Sequence, residues 1–315
     1  MIKTLVRNMG SYFVPADRLA ILMYHRVLHS PDSLRTFDIT VDEFRKQMRW
    51  VCDCFNVLPL PEALQRLRNG GCPSSALAIT FDDGYRDNVE VALPVLQELG
   101  LHATFFIASG YLNGGMMWND AVIEYMRTVP DGKIDLNCIG MGTMHFHGME
   151  ERRGIIVQLL NKIKYIPFEQ RESIVNRLRE EDHRSSSELM MRDEDVQYLH
   201  RAGMEIGGHT RNHPILSRLE SSRAFAEIAE GKQDLERLDV GPIRLFAYPN
   251  GKTNIDYTSE HVEMVKQAGF DAAVSTDAGV ASCSSDNWQL PRFTPWDKAP
   301  WRFSLRLLEQ YRHPR

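Results

Sequence analysis

Short apolar runs alternate along the chain with longer stretches in which apolar residues recur every three or four positions. The runs Ala20–Tyr24, Leu77–Phe81, Ala103–Ile107, Met204–Gly208, Leu245–Tyr248 and Phe270–Val274 have the length of buried strands. Between them, Val41–Cys52 puts Phe44, Met48 and Val51 on one helical face, and Leu60–Leu67 repeats the pattern before stopping at Asn69-Gly70-Gly71. Asn88–Leu99 and Ser222–Leu238 also read as helices. Three helix ends share a signature: Leu99-Gly100, Ala202-Gly203 and Ala268-Gly269 place glycine just past the helix and just before an apolar run. Helices alternating with single strands predict a mainly parallel sheet. Six or more such strands, with no dinucleotide-type glycine fingerprint after the first, predict an α/β fold closed or nearly closed into a barrel.

Residues 118–191 break this rhythm. A glycine-rich, uneven middle (Asp131–Gly148) lies before two charged helical stretches, Glu151–Lys164 and Phe168–Glu181. The expectation is one domain over 1–315 with an insertion or cap at 118–191; ordinary outer helices are the alternative.

Composition changes this picture little. The 315 residues are 43% hydrophobic and 25% charged, as in an ordinary soluble protein with a large core. A net charge of −5 gives no nucleic-acid footprint, and basic clusters such as Arg152-Arg153 are interspersed with acids. Five cysteines without a Cys-x-x-Cys pair predict reduced thiols in a cytoplasmic protein. Met1–Asp17 carries Lys3, Arg7 and Asp17 and does not read as a signal peptide, and no run is long enough to span a membrane. Met1–Tyr12 is expected as a short amphipathic segment capable of peripheral membrane contact. The oligomeric state is not encoded in any pattern found.

Candidate chemistry gathers at strand ends. The run Leu77-Ala78-Ile79-Thr80-Phe81 breaks into Asp82-Asp83-Gly84. Successive strand residues point to opposite sides, so the two carboxylates share a task only if the chain bends, which Gly84 makes cheap. Adjacent like charges raise each other's proton affinity unless a cation is near. An acidic turn is the plain alternative for this triplet alone. His209 and His213, four apart just after Gly207-Gly208, would share a face if a helical turn begins there. Imidazole plus carboxylate is ligand chemistry for Zn²⁺ and its neighbours. His25, Asp82-Asp83, His209, Tyr248 and Asp277 all follow the C-terminal end of an expected strand, where parallel barrels build active sites.

Thr80-Phe81-Asp82-Asp83-Gly84, followed by His209-Thr210-x-x-His213, resembles the first two motifs of the polysaccharide deacetylases. Phe246-Ala247-Tyr248-Pro249-Asn250-Gly251 and Leu290-Pro291-Arg292-Phe293 extend the likeness over Ala20–Phe293. The resemblance implies a distorted (β/α) barrel and metal-dependent removal of N-acetyl groups from chitin-like sugars, peptidoglycan and related polymers. It implies that Asp83, His209 and His213 bind one divalent ion, Zn²⁺, that Asp82 is the general base, and that an oxyanion-binding amide lies at Asn250. Two positions depart from the family. Its third motif commonly carries arginine where this chain has Ala247, and its fifth motif a histidine acid where this chain has Leu290-Pro291-Arg292. Arg292 could orient the base from another strand and His25 could supply the acid, as in members that act on poly-N-acetylglucosamine and similar exopolysaccharides.

Tyr248, Asn250, Asp277 and Trp118 are candidates to touch substrate. Trp118 and Trp296 are expected in loops, able to stack on a sugar face or to be structural. Asp277 is placed to hydrogen-bond Arg292 or substrate, or to serve as a turn residue. His145 and His147 form a loop pair with no acidic partner. The expected function is metal-dependent deacetylation of an N-acetylated sugar, in a polysaccharide or in a lipid- or nucleotide-linked precursor met in the cytoplasm. An inactive glycan-binding barrel and a metal-dependent hydrolase of another acyl or phosphate substrate are the alternatives.

Overall fold

The computed structural model describes residues 16–181, 188–297 and 299–312. Seven parallel strands follow one another round a barrel: β1 (Arg18–Tyr24), β2 (Ala76–Phe81), β3 (Thr104–Ile107), β4 (Glu205–Gly208), β5 (Leu245–Ala247), β6 (Ala272–Ala278) and β7 (Leu290–Arg292). Phe293, just past β7, bridges Leu22 of β1 in parallel register and brings the two edges together. Its N–H donates to the Ile21 carbonyl at 2.8 Å, and the Met23 N–H donates to its carbonyl at 3.0 Å. Ala281–Ser282 pairs antiparallel with the start of β1, and Asn56–Val57 pairs parallel with the start of β2. The sequence pattern does not reveal β7. It is three residues long with Pro291, which has no N–H, at its centre, and its register against β6 is shifted. The expected amphipathic segment Met1–Tyr12 lies outside the described residues.

The strand period of two divides the apolar residues into two clusters. Leu19, Ile21, Ala76, Ala78, Phe106, Leu245, Ala247 and Leu290 form one, together with the helix Leu60–Arg68. Their neighbours Ala20, Leu22, Leu77, Ile79 and Phe81 pack instead against the other outer helices through Phe44, Val95, Leu199, Ile228 and Val265. Continuing the first alternation places Thr80 and Asp82 on the same side as Ala76 and Ala78, and Arg292 on the same side as Leu290. All three are buried, at 0%, 2% and 1% exposure, so polar groups are delivered into the barrel interior at the strands' C-terminal ends.

The described residues of 118–191 include the helices Trp118–Thr128, Gly148–Lys164 and Phe168–Glu181 and an antiparallel hairpin of Gly132–Asp135 with Thr143–Phe146. The first helix has no side-chain N-cap, and each hairpin strand buries a single residue, so neither carries a strong sequence signal. The region has its own core, including Val122, Met126, Phe146, Leu159 and Ile163. It is tied to the barrel through the buried Asp120. The Tyr85 hydroxyl donates to Asp120 Oδ2 at 2.8 Å and Arg35 lies 2.6 Å from Oδ1, while Arg35 also reaches Glu124 at 2.9 Å. Among the described residues no helix is long and apolar enough to cross a membrane.

Candidate active site

Asp82 and Asp83 part company because the chain bends between them. The Asp82 N–H still donates to the Tyr24 carbonyl at 2.9 Å, extending the β1–β2 ladder by one residue. Asp83 then takes φ 79° and Gly84 φ 90°, both left-handed. A Cβ at Gly84 would meet Ile107 Cγ2 at 3.0 Å, a tight contact on top of an unfavourable φ.

Asp82 accepts two hydrogen bonds from Arg292, Nη1 to Oδ1 and Nη2 to Oδ2, each 2.7 Å. Arg292 is itself held by donating from Nε to the Ser275 carbonyl at 2.8 Å and from Nη1 to Thr80 Oγ1 at 3.2 Å. Burial works to raise the Asp82 pKa, but the Arg292 guanidinium outweighs it and holds the carboxyl below the usual carboxylate range. Asp82 is therefore kept ionised and fixed in orientation.

His209 and His213 meet, with ring centroids 4.7 Å apart, but not through the expected helical turn. The segment is a loop in which Thr210 (φ 61°) and His213 (φ 49°) are both left-handed. A β-branched residue there needs outside support. Thr210 Oγ1 accepts from the His213 N–H at 3.1 Å and donates to the His209 carbonyl at 2.5 Å. Glu227, 2% exposed on the helix Ser221–Glu236, accepts from both the backbone and side-chain amides of Asn212, at 2.8 and 2.9 Å. Gly231 lets that helix approach, since a Cβ there would come within 2.6 Å of the Thr210 carbonyl carbon.

His209 Nδ1 lies 2.7 Å from the Ala247 carbonyl, which accepts only if Nδ1 carries the proton. That leaves the Nε2 lone pair facing Asp83. Asp83 Oδ1 is 3.3 Å from His209 Nε2 and 3.4 Å from His213 Nε2. Ligand atoms of all three residues lie within 4.8 Å of one another, and all three residues are buried. Asp83 Oδ1 has no hydrogen-bond partner among the described residues, an arrangement of converging acceptors that a divalent cation would satisfy. Burial pushes the His213 pKa down to about 3, so its imidazole is neutral, the form that binds metal. Burial works to lower the His209 pKa, but Asp83 and Asp82 raise it overall; burial works to raise the Asp83 pKa, but the imidazoles lower it overall. The donor set fits the ion implied by the sequence motifs.

These groups line a cavity of about 550 Å³ with His25, Asn250, Trp118, Trp296, Lys164 and Lys252 around it. His25 lies exposed at its rim, its carbonyl held at 2.8 Å by the amide of the buried Asn88. Asn250 takes φ 58°, and its Nδ2 is buried without a partner among the described residues. Trp118 departs from expectation: it begins a helix and is 7% exposed, with Arg171 5.3 Å from its ring centroid. Trp296, 64% exposed, offers a free surface. Tyr248 is fully buried and stacked on Tyr257 at 3.8 Å, so it does not face the cavity. Asp277 accepts from Thr253 Oγ1 at 2.5 Å and does not pair with Arg292, which is engaged by Asp82. His145 and His147 are exposed in the hairpin region, outside the metal-ligand cluster.

Glu227 and Asn88 are not evident as site residues from local motifs. Glu227 does leave a trace, because Ala224, Glu227, Ile228 and Gly231 form one buried stripe in which an acid is out of place. Asn88 opens a π-helical turn, Asn88–Ala92, ahead of Pro94. Such turns occur often at functional sites.

A family model described as polysaccharide deacetylase matches residues 69–273. His25 and Arg292 lie outside the matched stretch. YxkH of Bacillus subtilis (strain 168), named as a candidate polysaccharide deacetylase, is 24% identical over 277 residues, covering 87% of this chain and 70% of that protein. The Streptococcus pyogenes deacetylase PplD, solved with acetate, shares the fold with a TM-score of 0.62 at 18% identity, covering 94% of this chain and 99% of PplD. IcaB from Ammonifex degensii does so with a TM-score of 0.60 at 19% identity, covering 91% and 97%. The chain belongs to the polysaccharide deacetylase family, and is a carbohydrate deacetylase.

Proposed function

We propose that the chain hydrolyses the acetamide of an N-acetylated sugar with one divalent ion, Zn²⁺, held by Asp83, His209 and His213. The convergence of Asp83 Oδ1, His209 Nε2 and His213 Nε2 carries this reading. The ion would supply an acidified water and polarise the acetamide carbonyl. Asp82, ionised and oriented by Arg292, accepts the proton lost from water at a carboxylate oxygen. His25, at the rim, delivers a proton to the leaving nitrogen, so that water and amide become acetate and amine. Asn250 bears on the acetyl group, with the backbone amide there as the oxyanion donor. Residues 118–191 act as a cap over the cavity, into which Trp118, Asn119, Leu160, Asn161 and Lys164 project.

We further place the substrate in the cytoplasm, as a lipid- or nucleotide-linked precursor or a short oligosaccharide. Thiols at Cys52, Cys72 and Cys283, unbridged and with the first and last exposed, support a reducing compartment. Acetate release from a panel of N-acetylated sugars by zinc-loaded protein tests the activity. Release from none of them would remove it.

A further inference from the structure

A groove of about 270 Å³ adjoins the catalytic cavity and shares His25, Asp83, Asn119 and Leu160 with it. Its walls are Leu34, Phe37, Ile123, Ile156, Val157 and Leu160, with Phe37 83% and Val157 50% exposed. Aliphatic walls suit methylene and methyl groups. Sugar hydroxyls or nucleobase edges buried against them would lose their hydrogen bonds to water with none in exchange.

The charges along this groove are unevenly committed. Arg26 is bound by Asp87 at 2.7 Å, and Arg35 by Asp120 and Glu124. Arg153, one helical turn before Val157, donates to a neutral acceptor, the Ser33 carbonyl, at 3.2 Å. Lys164 projects from the same helix into the catalytic cavity. Asp38 is the second acid beside Asp83 on the groove wall, and burial raises its pKa despite Arg26 and Arg35.

We propose that this groove takes the lipid end of an N-acetyl sugar carried on an isoprenoid-type chain through phosphate, with Lys164, at the cavity end of the same helix, meeting the phosphate. The inference rests on the deacetylase reading and names its substrate class. The sugar occupies the cavity beside Asp82 and Asp83, and the chain runs outward past Val157 and Phe37.

Three substrates bearing one N-acetyl sugar test it: the free oligosaccharide, the nucleotide diphosphate sugar, and sugar diphosphates on isoprenoid chains of increasing length below their critical micelle concentrations. KM should fall about tenfold for every two methylenes buried, at constant kcat. Phe37→Ser with Val157→Ser should erase that dependence and leave turnover of the free oligosaccharide unchanged. Lys164→Gln should raise KM for the phosphate-bearing substrates several-fold more than for the free oligosaccharide. A KM flat with chain length, or a preference for the nucleotide sugar, overturns the lipid assignment while leaving the deacetylase reading standing. Acetate from none of the three overturns both.

Discussion

Arg292 and Asp82 are joined across the barrel interior by two parallel 2.7 Å hydrogen bonds between side chains that are 0% and 2% exposed. The arginine comes from β7, while Ala247 on β5 leaves open the position where the resembling family commonly carries one. The same carboxylate can thus be gripped from a different strand, with Ala247 contributing its carbonyl to His209 instead of a side chain to Asp82.

Breaking this pair should be costly. Arg292→Met leaves Asp82 buried without its cation, which typically destabilises by about 3–5 kcal/mol. Equilibrium denaturation measures the loss, and turnover should collapse with it. Adding Ala247→Arg to Arg292→Ala should recover part of both, because the guanidinium would return from the neighbouring wall. Arg292→Lys should not restore wild-type turnover, since a point charge cannot reproduce the bidentate grip.

The same pair sets a pH response. Asp82 has its folded pKa below the unfolded carboxylate value near 4, so its stabilisation is present above that value and is lost as pH falls through the folded one. Thermal melts of the metal-free protein should therefore decline below about pH 4. Asp82→Asn with Arg292→Met should flatten part of that decline. An identical acid slope in the double variant would remove the pair as its source.

Glu227 should act on metal affinity without touching the metal. Its two hydrogen bonds to Asn212 secure the loop between the histidines. Partners of this kind typically contribute about 10–100-fold to metal affinity. Glu227→Gln should weaken zinc binding by that order, measured by competition with a chelating dye, while circular dichroism shows the barrel intact.

For His25, the test is the leaving group. His25→Ala should lose turnover on N-acetyl sugars and retain much more on an activated aryl acetate, whose phenolate departs without protonation. Equal losses on both substrates would assign the proton to another donor.

Much of this site was legible because chemistry interrupts pattern. Asp82 and Asp83 stand where an apolar run stops, and His209 follows a strand ending in Gly-Gly. The seven-strand ring was only partly legible, since β7 is a proline-centred triplet whose pairing depends on distant residues. The loop linking His209 to His213 was not, because its two left-handed residues are imposed by Glu227 and Gly231 from a helix remote in sequence. Tyr248 shows the converse. Its position in a motif suggested substrate contact, but its burial against Tyr257 was decided by tertiary packing.

Acetate release measured together with bound zinc in wild type, Asp82→Asn and Asp83→Asn tests the division of labour between the adjacent carboxylates most directly. Asp82→Asn should keep its zinc and lose roughly 10²- to 10⁴-fold in turnover, whereas Asp83→Asn should lose the zinc itself. Turnover by zinc-loaded Asp82→Asn within about tenfold of wild type, or full zinc occupancy in Asp83→Asn at a stoichiometric supply of metal, would contradict the account.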